Sequence, residues 1–250
     1  MGVSPKVPIS TDQLELRQEV EVNIIENALQ DKRQTLSEHE SKEFLRAYGI
    51  PVTREKEVLD QHRFMEAVRE IGFPLVVKGT GSQLIHKTER ALVHVDIRSE
   101  DEALAAYRDV MHKITPDGGK VLVQEMVIGK RELVVGLTRD MQFGPCVMFG
   151  LGGIFTEILK DISFRVAPIE RRDALDMMQE IQARKILEAV RGMPPADLDV
   201  LSDILIKVGN IGVEQEHVKE IDMNPVIISG SQPIAVDALV VLDPQGTKTT

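Results

Sequence analysis

The stretch GFPLVVK, Gly72–Lys78, shows how this chain is built. Its glycine and proline end a helix that the sequence predicts over Arg63–Ile71, and its continuous apolar run predicts a short buried strand ending at the lysine. A second strand is predicted over Leu92–Ile97 and another helix over Glu100–Ile114. This alternation of helices and strands predicts a mixed α/β protein.

Helical periodicity also marks the N-terminal part of the chain. Apolar residues recur every three or four positions over Thr11–Arg33, which predicts an amphipathic helix. Ser37 with Glu40 three residues later has the pattern of a capping box, and Gly49 ends the helix that follows.

The second half of the chain is predicted to be rich in strands. Two helices are expected there, over Ala174–Val190 and Asp197–Gly209. The predicted strands are Val121–Met126, Glu132–Thr138, Cys146–Phe149, Val218–Asp222, Val226–Ser229 and Ile234–Val236.

Composition excludes several classes of function. The chain has 250 residues, of which 42% are apolar, and this is enough for a sizeable core. Its 30 Lys and Arg against 40 Asp and Glu give a net charge of −10, which argues against a nucleic-acid polymer as partner. The sequence has no apolar run of about 20 residues, residues Met1–Ser10 lack the apolar stretch typical of a signal peptide, and the one cysteine is Cys146. A cytoplasmic protein without a membrane partner is expected.

One window of this acidic chain contains no acid. Residues Ile71–Thr88 include Lys78, His86 and Lys87 but neither Asp nor Glu. Such a window favours the binding of one anion at one place.

Common nucleotide and catalytic motifs are absent from the sequence. Gly79-Thr80-Gly81 and Gly150-Leu151-Gly152 both lack the third glycine of a dinucleotide-binding loop. The sequence has no P-loop lysine motif, no H-E-x-x-H motif and no G-x-S-x-G motif, which excludes P-loop, zincin and serine-hydrolase chemistry.

An ordered set of stretches remains and resembles a known family. The stretches are EHESKEFLRAYGIPV (38–52), GFPLVVK (72–78), LIHKTE (84–89), LVQEMV (122–127), GKRELVVGLTRD (129–140), FGPCVMFGLGGIFTE (143–157), EIDMNP (220–225) and AVDALV (235–240). In this order they resemble the ATP-grasp β component of ADP-forming acyl-CoA synthetases of the acetate–CoA ligase type, relatives of succinyl-CoA synthetase.

The resemblance implies an α/β (α+β) fold of two subdomains that clasp a nucleotide. The expected division is an N-terminal helical extension over 1–35, a larger subdomain from 36–50 and 125–242, a smaller one over 51–124, and a tail over 243–250.

The resemblance also implies a site for ATP or ADP. Lys78 and Lys87 would meet the phosphates, the hinge Gln124-Glu125-Met126-Val127 would bind adenine, and Glu132 would bind the ribose. Phosphoryl transfer needs cations at the phosphates and a divalent metal with few protein ligands. Asn224 and Asp237, with Asp222 in support, would hold Mg²⁺.

Further features would serve a partner subunit. In this family the phosphoryl group travels on a histidine of an α partner, which also carries the CoA-binding domain. The glycine loop with Gly152 and Gly153 would receive the phosphate, and His86 would act as a catalytic relay. After His86 the chain reads Glu89-Arg90-Ala91, where relatives usually have a Gly-Gly pair, and this adds Arg90 as a further cation.

The implied function is the nucleotide-binding subunit of a ligase, in a hetero-oligomer with the α partner. The reaction would interconvert acyl-CoA, ADP and phosphate with carboxylate, ATP and CoA. Two alternatives stay open at this point: an ATP-grasp carboxylate–amine ligase, and a nucleotide-sensing subunit without catalysis.

Overall fold

The computed structural model describes residues 23–80, 92–114, 119–153 and 161–246. In these ranges helices α1–α6 cover residues 23–30, Glu38–Ala47, Gln61–Ile71, Glu100–Ile114, Arg171–Glu180 and Leu198–Glu214, and a 3₁₀ turn covers Arg184–Leu187. Strands β1–β10 cover Glu55–Val58, Leu75–Thr80, Val93–Ile97, Lys120–Glu125, Glu132–Asp140, Gly144–Leu151, Ile162–Val166, Val218–Ser229, Gln232–Ala235 and Leu239–Leu242.

The smaller of the two sheets has the strand order β1-β4-β2-β3, with antiparallel neighbours throughout. Helices α3 and α4 cover one of its faces. Phe64 and Val110 from the helices pack with Val77 and Val123 from the central strands in one buried cluster. We call this body the small sheet.

The larger sheet has the order β10-β8-β5-β6-β7, with β9 beside β8. Its core is a separate cluster, in which Phe149 and Ile221 from the strands pack with Met178 of α5 and Leu205 of α6. We call this body the large sheet. Both sheets have helices on one face, so the predicted α/β class is confirmed.

Helix α2 belongs to the large sheet's core but reaches toward the small sheet. The predicted capping box is present, since Ser37 Oγ accepts a hydrogen bond from Glu40 N and Glu40 Oε2 accepts one from Ser37 N. Phe44 and Leu45 lie in the large core, and Ser41 Oγ accepts a hydrogen bond from Val240 N at 3.1 Å.

The N-terminal helix is only partly within the described residues. Helix α1 ends at residue 30, three residues before the predicted end, and residues 11–22 lie outside the described ranges. Ile25 and Ala28 are buried in the large core. Thr35 forms a bridge with Val241 of β10, so this segment is joined to the large sheet.

Two predictions about secondary structure were wrong. The helix expected over Ala174–Val190 ends at Glu180, because the Asp161 carboxylate accepts the N–H groups of Gln182 and Ala183 and thereby takes donors that a longer helix would use. The two strands expected over residues 218–229 are one strand, β8, with Pro225 inside it.

The proline is tolerated within β8 because the ladder is already interrupted at that point. The register between β5 and β8 shifts between Leu133 and Val135, opposite Asn224 and Pro225. A residue without an N–H donor fits where regular strand pairing is broken. Among the described residues, no helix is long and apolar enough to cross a membrane.

Two glycines of α6 provide a test of this packing. A methyl group at Gly212 would lie 2.7 Å from Pro145 Cβ, whereas one at Gly209 would meet its nearest neighbour, Val147 Cγ2, at 3.4 Å. We therefore expect Gly212→Ala to lower the free energy of unfolding by about 1–3 kcal/mol through overpacking. Gly209→Ala should be neutral or stabilising by up to about 1 kcal/mol, because alanine favours helix. Urea unfolding measures both, and equal shifts would contradict this account.

Candidate functional site

Strand β2 places Lys78 on the face of the small sheet that lies opposite helices α3 and α4. Side chains alternate along a strand, and Leu75 and Val77 belong to the core beneath those helices. Val76, Lys78 and Thr80 therefore lie on the other face, and Lys78 is only 6% exposed there. We call this the open face of the small sheet.

A fully buried lysine of α2, Lys42, is hydrogen-bonded to its own helix, to strands β1 and β4, and to the segment that precedes β1. Its Nζ lies 2.9 Å from Glu38 Oε1, 3.1 Å from Thr53 Oγ1, 2.6 Å from Glu55 Oε2 and 2.8 Å from Gln124 Oε1. An ammonium group has three hydrogens, so these four acceptors share them. The group joins α2 to β1 and β4 of the small sheet.

Lys78 is part of the same cluster. Its Nζ donates to Glu38 Oε1 at 2.7 Å, the same oxygen that Lys42 contacts. Burial lowers the pKa of Lys78, but the carboxylates of Glu38 and Asp237 outweigh it, so the pKa is raised above its usual value. Lys78 is therefore charged at neutral pH.

Two buried polar atoms on the open face have no partner among the described residues. Because Lys42 donates to Gln124 Oε1, the amide orientation is fixed and Gln124 Nε2 is left as a donor without an acceptor. Thr80 Oγ1 is likewise buried and unpaired within the described residues. Buried polar groups are normally hydrogen-bonded, so unpaired ones indicate a place where a ligand binds.

The segment after β4 is tied to neighbouring chain on one side. Both oxygens of Glu125 accept hydrogen bonds from Arg54, from its backbone N at 2.8 Å and its Nε at 2.7 Å. The backbone N of Glu125 donates to Arg54 O, and that of Met126 donates to Pro74 O. The backbone N–H groups of Glu125 and Met126 are therefore occupied within the protein itself.

Glu132, at the start of β5, lies against the glycine loop that follows β6. Gly152 N donates to Glu132 O at 2.8 Å. An added Cβ at Gly152 would be 2.7 Å from Leu133 O, and one at Gly153 would be 2.6 Å from Glu132 Oε2. Gly153 also has φ +67°, a conformation that favours glycine. Both positions therefore require glycine.

Strand β8 carries two of the predicted metal ligands on one face. Ile221 and Met223 point into the large core, so Asp222 and Asn224 lie on the opposite face. These two side chains line a groove of about 290 Å³ with Gly136 and Thr138 of β5 and other residues.

The Asp237 carboxylate affects the pKa of a residue on each of the two sheets. Asp237 lies two residues before Leu239, the first residue of β10, which pairs with Asp222 of β8. Burial, with the nearby carboxylates of Glu220 and Asp237, raises the pKa of Asp222. Asp237 raises the pKa of Lys78 as well, and the hydrogen bond from Lys78 to Glu38 joins the small sheet to a helix of the large core at this place. A lysine, carboxylates and an amide at such a place suit a metal-bound phosphate.

Comparison with known proteins identifies the fold. A family model described as an ATP-grasp domain matches residues 27–242. The chain belongs to the ATP-grasp family. The resemblance inferred from the sequence is thereby confirmed.

The relatives of this ATP-grasp chain are ligase subunits and domains. It is 45% identical over 224 residues to the β subunit of ADP-forming acetate–CoA ligase I of Pyrococcus furiosus, covering 88% of this chain and 96% of the relative. It is 39% identical to ADP-forming acetate–CoA ligase I of Archaeoglobus fulgidus, covering 79% of this chain and 30% of that protein.

A solved structure is similar along most of the ATP-grasp chain. It is an acetyl-coenzyme A synthetase 1 of Ca. Korarchaeum cryptofilum in complex with coenzyme A and Mg-AMPPCP, described as having its phosphohistidine segment pointing towards the nucleotide binding site. The TM-score is 0.81 at 43% identity, covering 89% of this chain and all of that one. Close relatives are therefore ADP-forming acid–thiol ligases.

Several predicted residues lie outside the described ranges of this ATP-grasp chain. They are His86, Lys87 and Arg90, which fall within residues 81–91. Of the predicted residues that are described, Lys78, Gln124, Asp222 and Asp237 converge on the open face of the small sheet and the groove opposite it. Their roles in binding stay predictions.

The buried charges behind Lys78 are not predicted by the sequence. Glu38 and Lys42 belong to the stretch EHESKEFLRAYGIPV and to a helix that begins with a capping box, but neither they nor Thr53 and Glu55 are among the predicted site residues. One signal was available: Glu38 and Lys42 are four residues apart, a spacing that places both on one side of a helix. Nothing in that spacing indicates that the pair is buried.

The donor set of the ATP-grasp site fits a magnesium ion. Within residues 23–80, 92–114, 119–153 and 161–246, no group of three His, Cys, Asp or Glu side chains could hold a metal. Asp222, Asp237 and Asn224 offer hard oxygen atoms, and the pKa of Asp222 is raised by burial and, to a lesser extent, by the carboxylates of Glu220 and Asp237. Mg²⁺ usually takes one or two carboxylates and completes its shell with water and phosphate.

His39 predicts a pH dependence of stability. Its hydrogen bond to Glu55, at 3.0 Å from Nδ1 to Oε1, raises the pKa of His39 despite partial burial. A histidine whose pKa is higher in the folded than in the unfolded state stabilises the folded state. This contribution is complete at pH values below the pKa in the unfolded state, about 6.5, and is lost as the pH rises through the pKa in the folded state. We therefore expect unfolding free energy to fall above about pH 6.5 more steeply than in His39→Gln. Urea unfolding across pH 5–9 measures this, with the exposed His62→Gln as control; identical slopes in all three would contradict the assignment.

Proposed function

We propose that this chain is the nucleotide-binding component of an ADP-forming acyl-CoA synthetase that binds Mg-ATP or Mg-ADP between its two sheets. The reaction is acyl-CoA + ADP + phosphate ⇌ carboxylate + ATP + CoA. The observation that carries the proposal is the 2.7 Å hydrogen bond from Lys78 of the small sheet to Glu38 of helix α2, which packs in the large core. The Asp237 carboxylate, beside the large sheet, also raises the pKa of Lys78. Because the cation and the carboxylate come from different sheets, a metal-bound phosphate between them would be held by both.

The residues have distinct roles in this proposal. Lys78 neutralises phosphate charge, and Glu132 accepts hydrogen bonds from the ribose hydroxyl groups. The segment Gln124–Val127 holds the base: the Gln124 amide nitrogen has no partner among the described residues, whereas the Glu125 carboxylate is held by Arg54. Bound nucleotide would give the buried Gln124 Nε2 an acceptor, which the described residues do not provide.

Magnesium would be held by Asn224 and Asp237, with Asp222 in support. When bound, it would neutralise phosphate charge and orient the transferring phosphoryl group. The protein's own part is to fix these ligands on β8 and beside β10, two strands that are paired with each other.

We also propose the division of the chain into clasping parts. The small sheet with α3 and α4 would be the smaller subdomain, and the large sheet with α2, α5 and α6 the larger one, consistent with their separate cores. The segment before Leu36 adds to the larger core.

The partner is an α subunit that carries the CoA-binding domain and a phosphohistidine. Two comparisons support this: a β-subunit relative matches nearly end to end, and a single-chain relative is more than three times the matched length. The glycine loop at Gly152 and Gly153 would receive the phosphorylated histidine, since bare backbone N–H groups suit phosphate. His86 and Lys87 would act at the same phosphate.

The metal assignment predicts a loss of nucleotide affinity. Asn224→Ala and Asp237→Ala should each weaken ATP binding in the presence of Mg²⁺ on the order of 10–100-fold, because each removes a ligand of the phosphate-bound ion. Isothermal titration calorimetry measures this, with thermal unfolding to show that the fold persists. Asp199→Ala, at an exposed position on α6, is the control. Unchanged affinity in both variants would overturn the assignment.

The subunit assignment predicts dependence on a partner. The chain alone should bind ATP but form no acyl-CoA from ATP, CoA and an acid, whereas addition of the α partner should restore turnover. With [γ-³²P]ATP, the label should appear on a histidine of the partner. Acyl transfer to an amine without CoA would instead support a carboxylate–amine ligase, and ATP binding without any labelled product would support a nucleotide sensor.

A further inference from the structure

Two ammonium groups share one carboxylate oxygen beneath the open face of the small sheet. Lys42 Nζ and Lys78 Nζ lie 2.9 Å and 2.7 Å from the same atom, Glu38 Oε1. Lys42 and the Glu38 side chain are almost fully buried, and the Lys78 side chain is 7% exposed. The oxygen therefore divides its negative charge between two cations in a place where water screens them poorly.

The charges of this cluster are nearly balanced. Lys42 and Lys78 contribute two positive charges, and Glu38 and Glu55 contribute two negative ones. A buried charge is costly unless it is paired, so removal of one member leaves another uncompensated. The charged side chains of the cluster are therefore stabilised by one another and not by hydration.

We propose that Lys42 is a positioning residue for nucleotide binding: it fixes and partly neutralises Glu38, so that Lys78 is held at the open face yet can be shared with a phosphate. This inference rests on the proposed function, because it takes Lys78 as the residue that meets the phosphate. Lys42 acts through Glu38 and touches no substrate.

The physical reason lies in competition for the Glu38 oxygen. With Lys42 present, Glu38 is a weaker partner for Lys78 than it would be alone, because Lys42 bonds to the same oxygen and takes part of its charge. Without Lys42, the whole charge of Glu38 is available to Lys78. Lys78 is then bound more tightly to Glu38, and a phosphate competes for it less well.

Lys42 also fixes the surface on which the nucleotide would lie. Its bonds to Glu55 and Gln124 join α2, which is rooted in the large core, to strands β1 and β4 of the small sheet. The Lys42 ammonium group therefore determines where the Glu38 carboxylate lies relative to Lys78 on β2. A side chain of similar length without charge would fill the space but make none of these bonds.

The test uses a pair of substitutions that removes one positive and one negative charge. Lys42→Met alone leaves Glu55 with His39 as its remaining ionic partner and is expected to destabilise the fold. The double variant K42M/E55Q restores the charge balance. We expect it to unfold within a few degrees of the unaltered chain, yet to bind ATP and ADP about tenfold more weakly in Mg²⁺. Adenosine affinity should also fall, because Lys42 orients the Gln124 amide beside the base, but by less. Calorimetric titration gives all three affinities.

A cycle with Lys78 separates positioning from a general structural effect. If Lys42 acts through Lys78, then adding K42M/E55Q to Lys78→Met should weaken ATP binding no further, whereas independent effects would add. The matched control is K56M/E70Q, which removes an exposed lysine–glutamate pair between β1 and α3 and should leave every affinity unchanged.

A second pair keeps the inference testable if K42M/E55Q does not fold. Glu38→Gln removes the carboxylate that joins the two lysines, so E38Q/K42M should bind ATP with the same affinity as E38Q alone. A further loss from K42M in that background would overturn the inference.

The outcomes distinguish the inference from the proposed function. Failure of the unaltered chain to bind ATP with Mg²⁺ would overturn both. Normal ATP binding by the unaltered chain, with equal affinity in a folded K42M/E55Q, would overturn the role of Lys42 alone. An equal loss of ATP and adenosine affinity would also overturn it, because the effect would then not lie at the phosphate.

Discussion

The Lys42 ammonium binds four oxygen atoms in a place without solvent, and this constraint connects the two halves of the molecule. Helix α2 is fixed in the large core through Phe44 and Leu45, while Lys42 from the same helix bonds to the small sheet. Three ammonium hydrogens serve four acceptors, so none of the bonded groups can move far without losing a bond. The position of the Lys78 ammonium group depends on this arrangement, because it donates a hydrogen bond to Glu38 on the same helix.

Apolar packing alone would not fix this geometry. The two cores are separate clusters, and each is closed by its own helices. Hydrophobic contact is not directional, whereas a buried ion pair with satisfied hydrogen bonds has few acceptable arrangements. The polar contact between the sheets therefore determines which side chains face one another, and these include Lys78 and Asp237.

The glycine loop and β8 show a second kind of constraint. Gly152 and Gly153 are required because backbone and carboxylate atoms of Glu132 and Leu133 occupy the space of a side chain. On β8, the alternation of core and groove residues places Asp222 and Asn224 on one face. In both cases the position of a functional group follows from close backbone packing, which leaves little freedom for substitution.

The sequence by itself determined the family, the α/β class and most of the elements. The capping box at Ser37, the strand before Lys78 and the helix over Glu100–Ile114 follow from local patterns, because caps, breakers and periodicity act over a few residues. Predictions from local patterns were wrong where residues distant in sequence determine the structure. Hydrogen bonds to Asp161 end α5 early, and the register shift between β5 and β8 allows β8 to continue through Pro225. Only the tertiary structure decided that Glu38, Lys42 and Glu55 are buried together behind Lys78. Their charges would favour solvent on sequence grounds, and they are stable inside only because residues far apart in the chain neutralise one another there.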